Sequence, residues 1–199
     1  MTRATELDAA FFDRPVEAVA RAMIGLAFKV EGVGGLIVET EAYGRDDPAC
    51  HAFKGPTPRN AAMFGPHGRA YVYRSHGLHW CVNAVCRPGE AVLIRAIAPL
   101  WGVEAMIARR GLDDPRRLCA GPGRLCQALG IDGGHDGAPL DAPPFSLSLP
   151  AEAPGPIHAG PRIGIAKAVD TPWRFCLAGS PHLSRPVRTG KPAQRSGKV

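Results

Sequence analysis

The 199 residues suffice for one sizeable hydrophobic core, and a hydrophobic content of 45% is that of an ordinary globular chain rather than a disordered or fibrous one. A formal net charge of +6 suits a polyanion or a membrane surface, but no run approaches the roughly 18 apolar residues of a membrane span. MTRATELDAA at the start lacks the apolar run of a secretory signal, so a cytoplasmic protein without signal peptide is expected.

After a leader over residues 1–10, Asp13 is placed to cap a helix with Pro15 in its first turn. Val16, Val19, Ala20 and Met23 follow at helical spacing until Gly25 stops it. Residues 26–31 and 36–43 read as two strands around the turn 32–35. In the second strand a period of two puts Ile37, Glu39, Glu41 and Tyr43 on one face and Leu36, Val38, Thr40 and Ala42 on the other. Residues 44–69 carry Pro48, Pro56, Pro58 and Pro66 and form a loop long enough to invite a functional reading. Strands are expected at 70–74, 78–86 and 91–97, the last two joined by the turn 87–90, and helices at 101–110 and 122–129, stopped by Gly111 and Gly130. A surface loop over 132–144 and strands at 145–149, 162–166 and 174–177 complete the pattern. Together these make one α+β domain over residues 11–184, a mainly antiparallel sheet with packed helices, before a flexible basic tail over 185–199.

Cys50, Cys81, Cys86, Cys119, Cys126 and Cys176 form no C-x-x-C pair, so they read as reduced, mostly buried residues; no metal and no cofactor are expected. All the tyrosines of the chain, Tyr43, Tyr71 and Tyr73, share one stretch with Glu41, His51, Arg59, Arg69 and Arg74. Rings that stack on bases beside cations that neutralise phosphates suit a nucleic-acid site, although for Tyr71 core packing is the stronger reading. Lys54, Arg59, Arg69 and Arg74 read equally well as phosphate contacts or as solvated surface charge. Glu39 and Glu41 lie in an otherwise burial-prone strand, where a carboxylate needs solvent or a charged partner. Taken alone, Glu41 favours a structural ion pair over catalysis.

The ordered set VETEAY (38–43), His51, TPRN (57–60), YVY (71–73), VLIRAIAPL (92–100), CAGPGRLCQALGI (119–131), PRIGI (161–165) and RFCLAGSPHLS (174–184) changes that weighting. Over this span the chain resembles the alkyladenine, or 3-methyladenine, DNA glycosylase family. The resemblance implies a curved, mainly antiparallel sheet and a base-excision-repair enzyme, monomeric and nucleoid-associated, that flips alkylated or deaminated purines out of double-stranded DNA and hydrolyses the N-glycosidic bond. It implies that Glu41 activates the water, that Arg95 helps hold it, that Tyr43 and Tyr73 sandwich the base, that His51 recognises the base edge, and that Asn83 obstructs the amino group of guanine. His76 stands where the vertebrate pattern has a tyrosine wedge, which implies weaker flipping. A lyase activity would need an amine nucleophile, and neither Lys29 nor Lys54 lies in a motif that suggests one. The alternative from another class is a catalytically silent DNA-damage-binding protein, and retention of both Glu41 and Arg95 argues against it.

Overall fold

Strand β2 (Val33–Tyr43) organises the computed structural model, which describes residues 7, 9–150 and 152–187. Along one edge β2 pairs with β5 (Ala91–Trp101). Along the other it pairs first with β1 (Ala27–Val30) and then, at Glu39–Glu41, with β8 (Arg174–Leu177). The sheet runs β3-β4-β5-β2-β1-β6, where β3 is Ala70–Ser75, β4 His79–Val85 and β6 Phe145–Ser148; β7 (Ile157–Gly160) pairs with β8. All these pairings are antiparallel. Splitting one edge of β2 between two partners curls the sheet into a half-barrel, which agrees with the expected curved α+β architecture.

The two faces are covered differently. On one, α1 (Val16–Ala22) and α4 (Pro122–Leu129), with Met106 of α2 (Val103–Arg110), close the main core with Phe28, Ile94, Ile97 and Phe145. On the other, Cys50, Ala52 and Met63 from the loop after β2 pack over Tyr71, Val85 and Ala91 in a smaller cluster edged by Tyr43 and Tyr73. All six cysteines are free and buried, as their spacing suggests.

Two irregularities correct the simple alternation of β2. Ile37 pairs with Ile97 and Glu39 with Ala96, so Val38 is an extra residue on β2; Thr40 then pairs with Ile94, so Arg95 is an extra residue on β5. Ile37 therefore joins the helix-covered core together with Ala42, instead of sharing a face with Glu39 and Glu41 as period two implies. The hydroxyl of Thr40 donates to the Ala20 carbonyl of α1 at 2.8 Å, which marks the opposite face from the carboxylates.

Other departures have local causes. The hairpin turn is tighter than expected, because Gly34 and Gly35 lie within β2, where a Cβ would come 2.0 Å from the Phe28 oxygen and 1.9 Å from the Ala98 oxygen. The helix expected from residue 101 starts at Val103, since Trp101 still pairs with Gly34 and Gly102 is left-handed at φ 67°. Asp13 does not cap α1; Pro15 occupies that position and Asp13 pairs with Arg87 at 3.2 Å. A short helix α3 (Pro115–Leu118) was not anticipated, although Asp114 caps it by accepting from the Arg116 N–H. Residues 162–166 form no strand, because the Ile163 N–H is spent on a side-chain carboxylate and Gly164 is at φ 76°. Most of the expected basic tail, residues 188–199, and residues 1–6 and 8 of the expected leader lie outside the described residues.

Candidate active site

Beneath the smaller cluster, β2, β5 and β8 bring two carboxylates and two guanidiniums into contact. Glu41 is fully buried, and its Oε2 accepts from the Tyr43 hydroxyl at 2.9 Å and from Arg95 Nη1 at 3.1 Å, while its Oε1 accepts from the Ile163 N–H at 2.7 Å. Glu39, also 0% exposed, accepts from Arg95 Nε at 3.0 Å and Arg174 Nε at 2.8 Å. Burial alone would raise the Glu39 carboxyl, but Arg95, Arg174 and Ser184 together hold it below the ordinary carboxylate value.

In front of this cluster opens a cavity of 990 Å³. Its aromatic wall is interlocked: Tyr71 stacks on Tyr73 with ring centroids 5.3 Å apart, and His51 meets Tyr73 edge-on at 4.5 Å. His51 Nδ1 lies 3.0 Å from the Tyr71 hydroxyl, with the donor set by the ring tautomer. Burial, and then Arg59, lower the His51 imidazole below its ordinary 6.5, so the ring is neutral near pH 7. Asn83, 4% exposed, donates to the Tyr71 carbonyl at 2.9 Å, which fixes its amide at the cavity wall. Tyr43 stays protonated, because burial and the adjacent Glu41 push its hydroxyl well above the usual phenol value.

The loop that brings His51 is held by Asn60. Its Oδ1 accepts from the Thr57 N–H and hydroxyl, and its Nδ2 donates to the carbonyls of His51 and Gly55. Asp47, earlier in the same loop, forms a buried bidentate pair with Arg162, whose guanidinium lies 4.8 Å from the Tyr43 ring. Thus the turn of residues 44–60 and the segment of residues 161–165 lock together behind Tyr43.

Of the residues singled out from sequence, Tyr43, His51, Arg59, Tyr73, Arg74, His76, Asn83 and Arg95 all line the cavity. Glu41 does not; it sits one hydrogen bond behind Tyr43 and Arg95, which do. Lys54 and Arg69 are not brought to the cavity, and Arg69 instead donates to the Gly137 carbonyl at 3.1 Å. Sequence reasoning passed over Lys167, which lines the cavity, and Arg162, Ile163, Arg174 and Ser184, which hold the carboxylates or Tyr43. Only Arg174 carried a local signal, a cation in the apolar strand RFCL that must find a carboxylate when buried. Among the described residues the lining cations are Arg59, Arg74, Arg95 and Lys167, with no carboxylate beside them. Arg95 is matched by Glu39 and Glu41, which leaves Arg59, Arg74 and Lys167 as the cations able to meet phosphates.

Relatives of the chain carry a provisional 3-methyladenine DNA glycosylase name. One from Agrobacterium fabrum is 61% identical over 180 residues, covering 90% of this chain and 93% of the relative. Another, from Nitrosospira multiformis, is 61% identical over 85% of this chain and 89% of its own length, and one from Rhodopseudomonas palustris is 60% identical over 89% and 90%. The methylpurine-DNA glycosylase family matches residues 10–181, a span that holds the aromatic cavity and both carboxylates, and the chain belongs to that family of DNA-repair hydrolases.

Proposed function

We propose that the protein is a monofunctional glycosylase that flips an alkylated or deaminated purine, such as 3-methyladenine or hypoxanthine, out of double-stranded DNA. It then hydrolyses the bond to the sugar and leaves an abasic site. The observation that carries this reading is the juxtaposition of a fully buried, donor-oriented Glu41 carboxylate with an aromatic cavity of 990 Å³ whose charged lining, among the described residues, is cationic. The domain runs over residues 11–184, acts as a monomer, and works in the cytoplasm on the nucleoid.

Flipping costs a few kcal/mol, least for a damaged base, and stacking on aromatic faces returns about 1–3 kcal/mol per base. Tyr43 and Tyr73 supply those faces, His51 and Asn83 supply the polar edge, and Arg59, Arg74 and Lys167 meet the phosphates at the rim. His76, exposed at φ 49° on the β3–β4 hairpin, enters the gap left in the stack. Once the purine is seated, the sugar acquires oxocarbenium character as the bond lengthens. Glu41 stabilises that charge and takes a proton from the attacking water, while the leaving base departs with the bonding electrons. An alkylated purine is already cationic and needs no acid. Hypoxanthine must be protonated or hydrogen bonded, and the neutral His51 ring is the nearest group that can donate a hydrogen bond to it.

Because Glu41 is sealed behind Tyr43 and Arg95, lesion entry must let one water reach its Oε2, where the Tyr43 hydroxyl now ends. That sealing is the observation that favours the silent damage binder. Single-turnover base release from duplexes carrying 3-methyladenine or hypoxanthine, with Glu41→Gln beside wild type, separates the two. Release by wild type and not by the variant is expected; tight lesion binding without release by wild type would establish the binder instead.

A further inference from the structure

Arg95 has every guanidinium nitrogen committed: Nη1 to Glu41 at 3.1 Å, Nε to Glu39 at 3.0 Å and Nη2 to the Ser184 hydroxyl oxygen at 3.3 Å. Glu39 in turn accepts four bonds. Its Oε1 receives Arg95 Nε, Arg174 Nε and the Ser184 hydroxyl at 2.7 Å, and its Oε2 receives the Ser184 N–H at 2.6 Å. Arg174 reaches on to the Arg185 carbonyl, so the segment around residues 184–185 is tied twice to the same cluster. Glu39 and Glu41 are both fully buried and absent from the cavity lining, but Glu41 bonds three residues of that lining, Tyr43, Arg95 and Ile163, whereas Glu39 reaches it through Arg95 alone.

We propose that Glu39 is a positioning residue for the glycosylase reaction, holding Arg95 against Glu41, and that Ser184 clamps the segment after β8 onto Glu39 to complete this support. The proposal rests on the assignment of Glu41 as the base. The physical reason lies in the charge count: two carboxylates and two guanidiniums, with 0–7% exposure, balance as a set. Without the Glu39 charge, Arg174 keeps only the Arg185 carbonyl, and Arg95 loses the partner that fixes its Nε edge. An arginine free to swing cannot hold a water and a carboxylate in register, and a misplacement of about 1 Å in such an arrangement costs on the order of 100-fold in rate. The Ser184 link is long-range, joining residues 145 positions apart, and ties the segment after β8 back onto β2. The same support explains why two acids occupy one buried face: one is kept at the reaction, the other keeps its partner in place.

The test uses the full chain, with single-turnover base release and equilibrium binding to lesion DNA measured on the same duplex. Glu39→Gln is expected to lose about 100-fold in the release rate while its lesion affinity stays at the wild-type level, a split that loss of fold would not produce. Ser184→Ala leaves every charge in place and removes only the hydroxyl. It is expected to lose on the order of 10-fold in release with affinity unchanged, and Ser184→Thr, which restores the hydroxyl, is expected to recover the rate. Wild-type release by a folded Glu39→Gln, or a loss confined to affinity, overturns the proposal. If Glu39→Gln does not fold, Ser184→Ala decides: wild-type release by that variant overturns it too. Glu41→Gln runs alongside, because its retention of activity would sink the base assignment, whereas an inactive Glu41→Gln beside a fully active Glu39→Gln would sink only the positioning role.

Discussion

Replacing Asp47 by alanine probes the lock behind Tyr43. The Arg162 side chain is 0% exposed and that of Asp47 3%, and the guanidinium donates to both Asp47 oxygens and to the Ala42 carbonyl at 2.9 Å. It also lies between the rings of Tyr43 and Trp173, at 4.8 and 5.5 Å from their centroids, with its Nε lacking a hydrogen-bond partner. Loss of Asp47 leaves a buried cation without its counter-charge, which costs about 3–5 kcal/mol. For a chain of this length each kcal/mol moves Tm by about 2–4 °C, so a fall on the order of 10 °C is expected. Urea unfolding followed by tryptophan fluorescence, with a thermal scan, measures both quantities. The paired replacement Asp47→Leu with Arg162→Met removes both charges, and is expected to be less destabilised than Asp47→Ala alone. A change in Asp47→Ala within about 0.5 kcal/mol of wild type, the range of an ordinary surface substitution, would refute the reasoning. So would a double variant that loses the full sum of its two singles.

Gly35→Ala is expected to destabilise by at least the upper end of the about 1–3 kcal/mol typical of overpacking, because the new Cβ would lie 1.9 Å from the Ala98 oxygen. Gly160→Ala, with nothing within 4 Å of its Cβ, is the matched control, and equal soluble yield and urea midpoint for the two would contradict the close approach. Stability is also expected to fall as the solution is acidified. The lowered Glu39 carboxyl contributes fully above its ordinary 4.5 and is lost as pH drops through its folded value. The lowered His51 acts in the same direction from its ordinary 6.5 downward, since the unfolded chain takes up that proton first. A urea midpoint that rises between pH 7 and 5, or a His51→Gln variant with the same slope there, would exclude the His51 contribution.

The site was more legible than its supports. Clustering in the sequence pointed to Tyr43, His51 and Tyr73, and the family resemblance alone pointed to Asn83 and Arg95; all five line one cavity. Asp47 and Arg162 are 115 residues apart, and nothing local to either announces the other. The strand pattern of β2 was read correctly for Glu39, Glu41 and Tyr43 and wrongly for Ile37, since a bulge adds one residue without altering hydrophobicity. Residues 162–166 have strand-like composition, yet their polar backbone is used by Glu41, a competition that propensity does not see. The helix boundary at 101 failed because Trp101 is as compatible with the end of β5 as with a first helical turn, and only the pairing with Gly34 decides.

The burial of all six thiols bears on where such a protein can work. Agents that methylate purines are electrophiles, and a thiolate competes with a base nitrogen for them. Burial pushes Cys50 up to about 11 and Cys119 and Cys176 up to about 12, and it raises Cys81, Cys86 and Cys126 as well. Each thiol is thus kept in its protonated, weakly nucleophilic form near pH 7 and shielded from a methylating agent by burial. A repair protein built this way keeps its own nucleophiles out of the chemistry that creates its substrates, and stays serviceable while the surrounding DNA is being damaged.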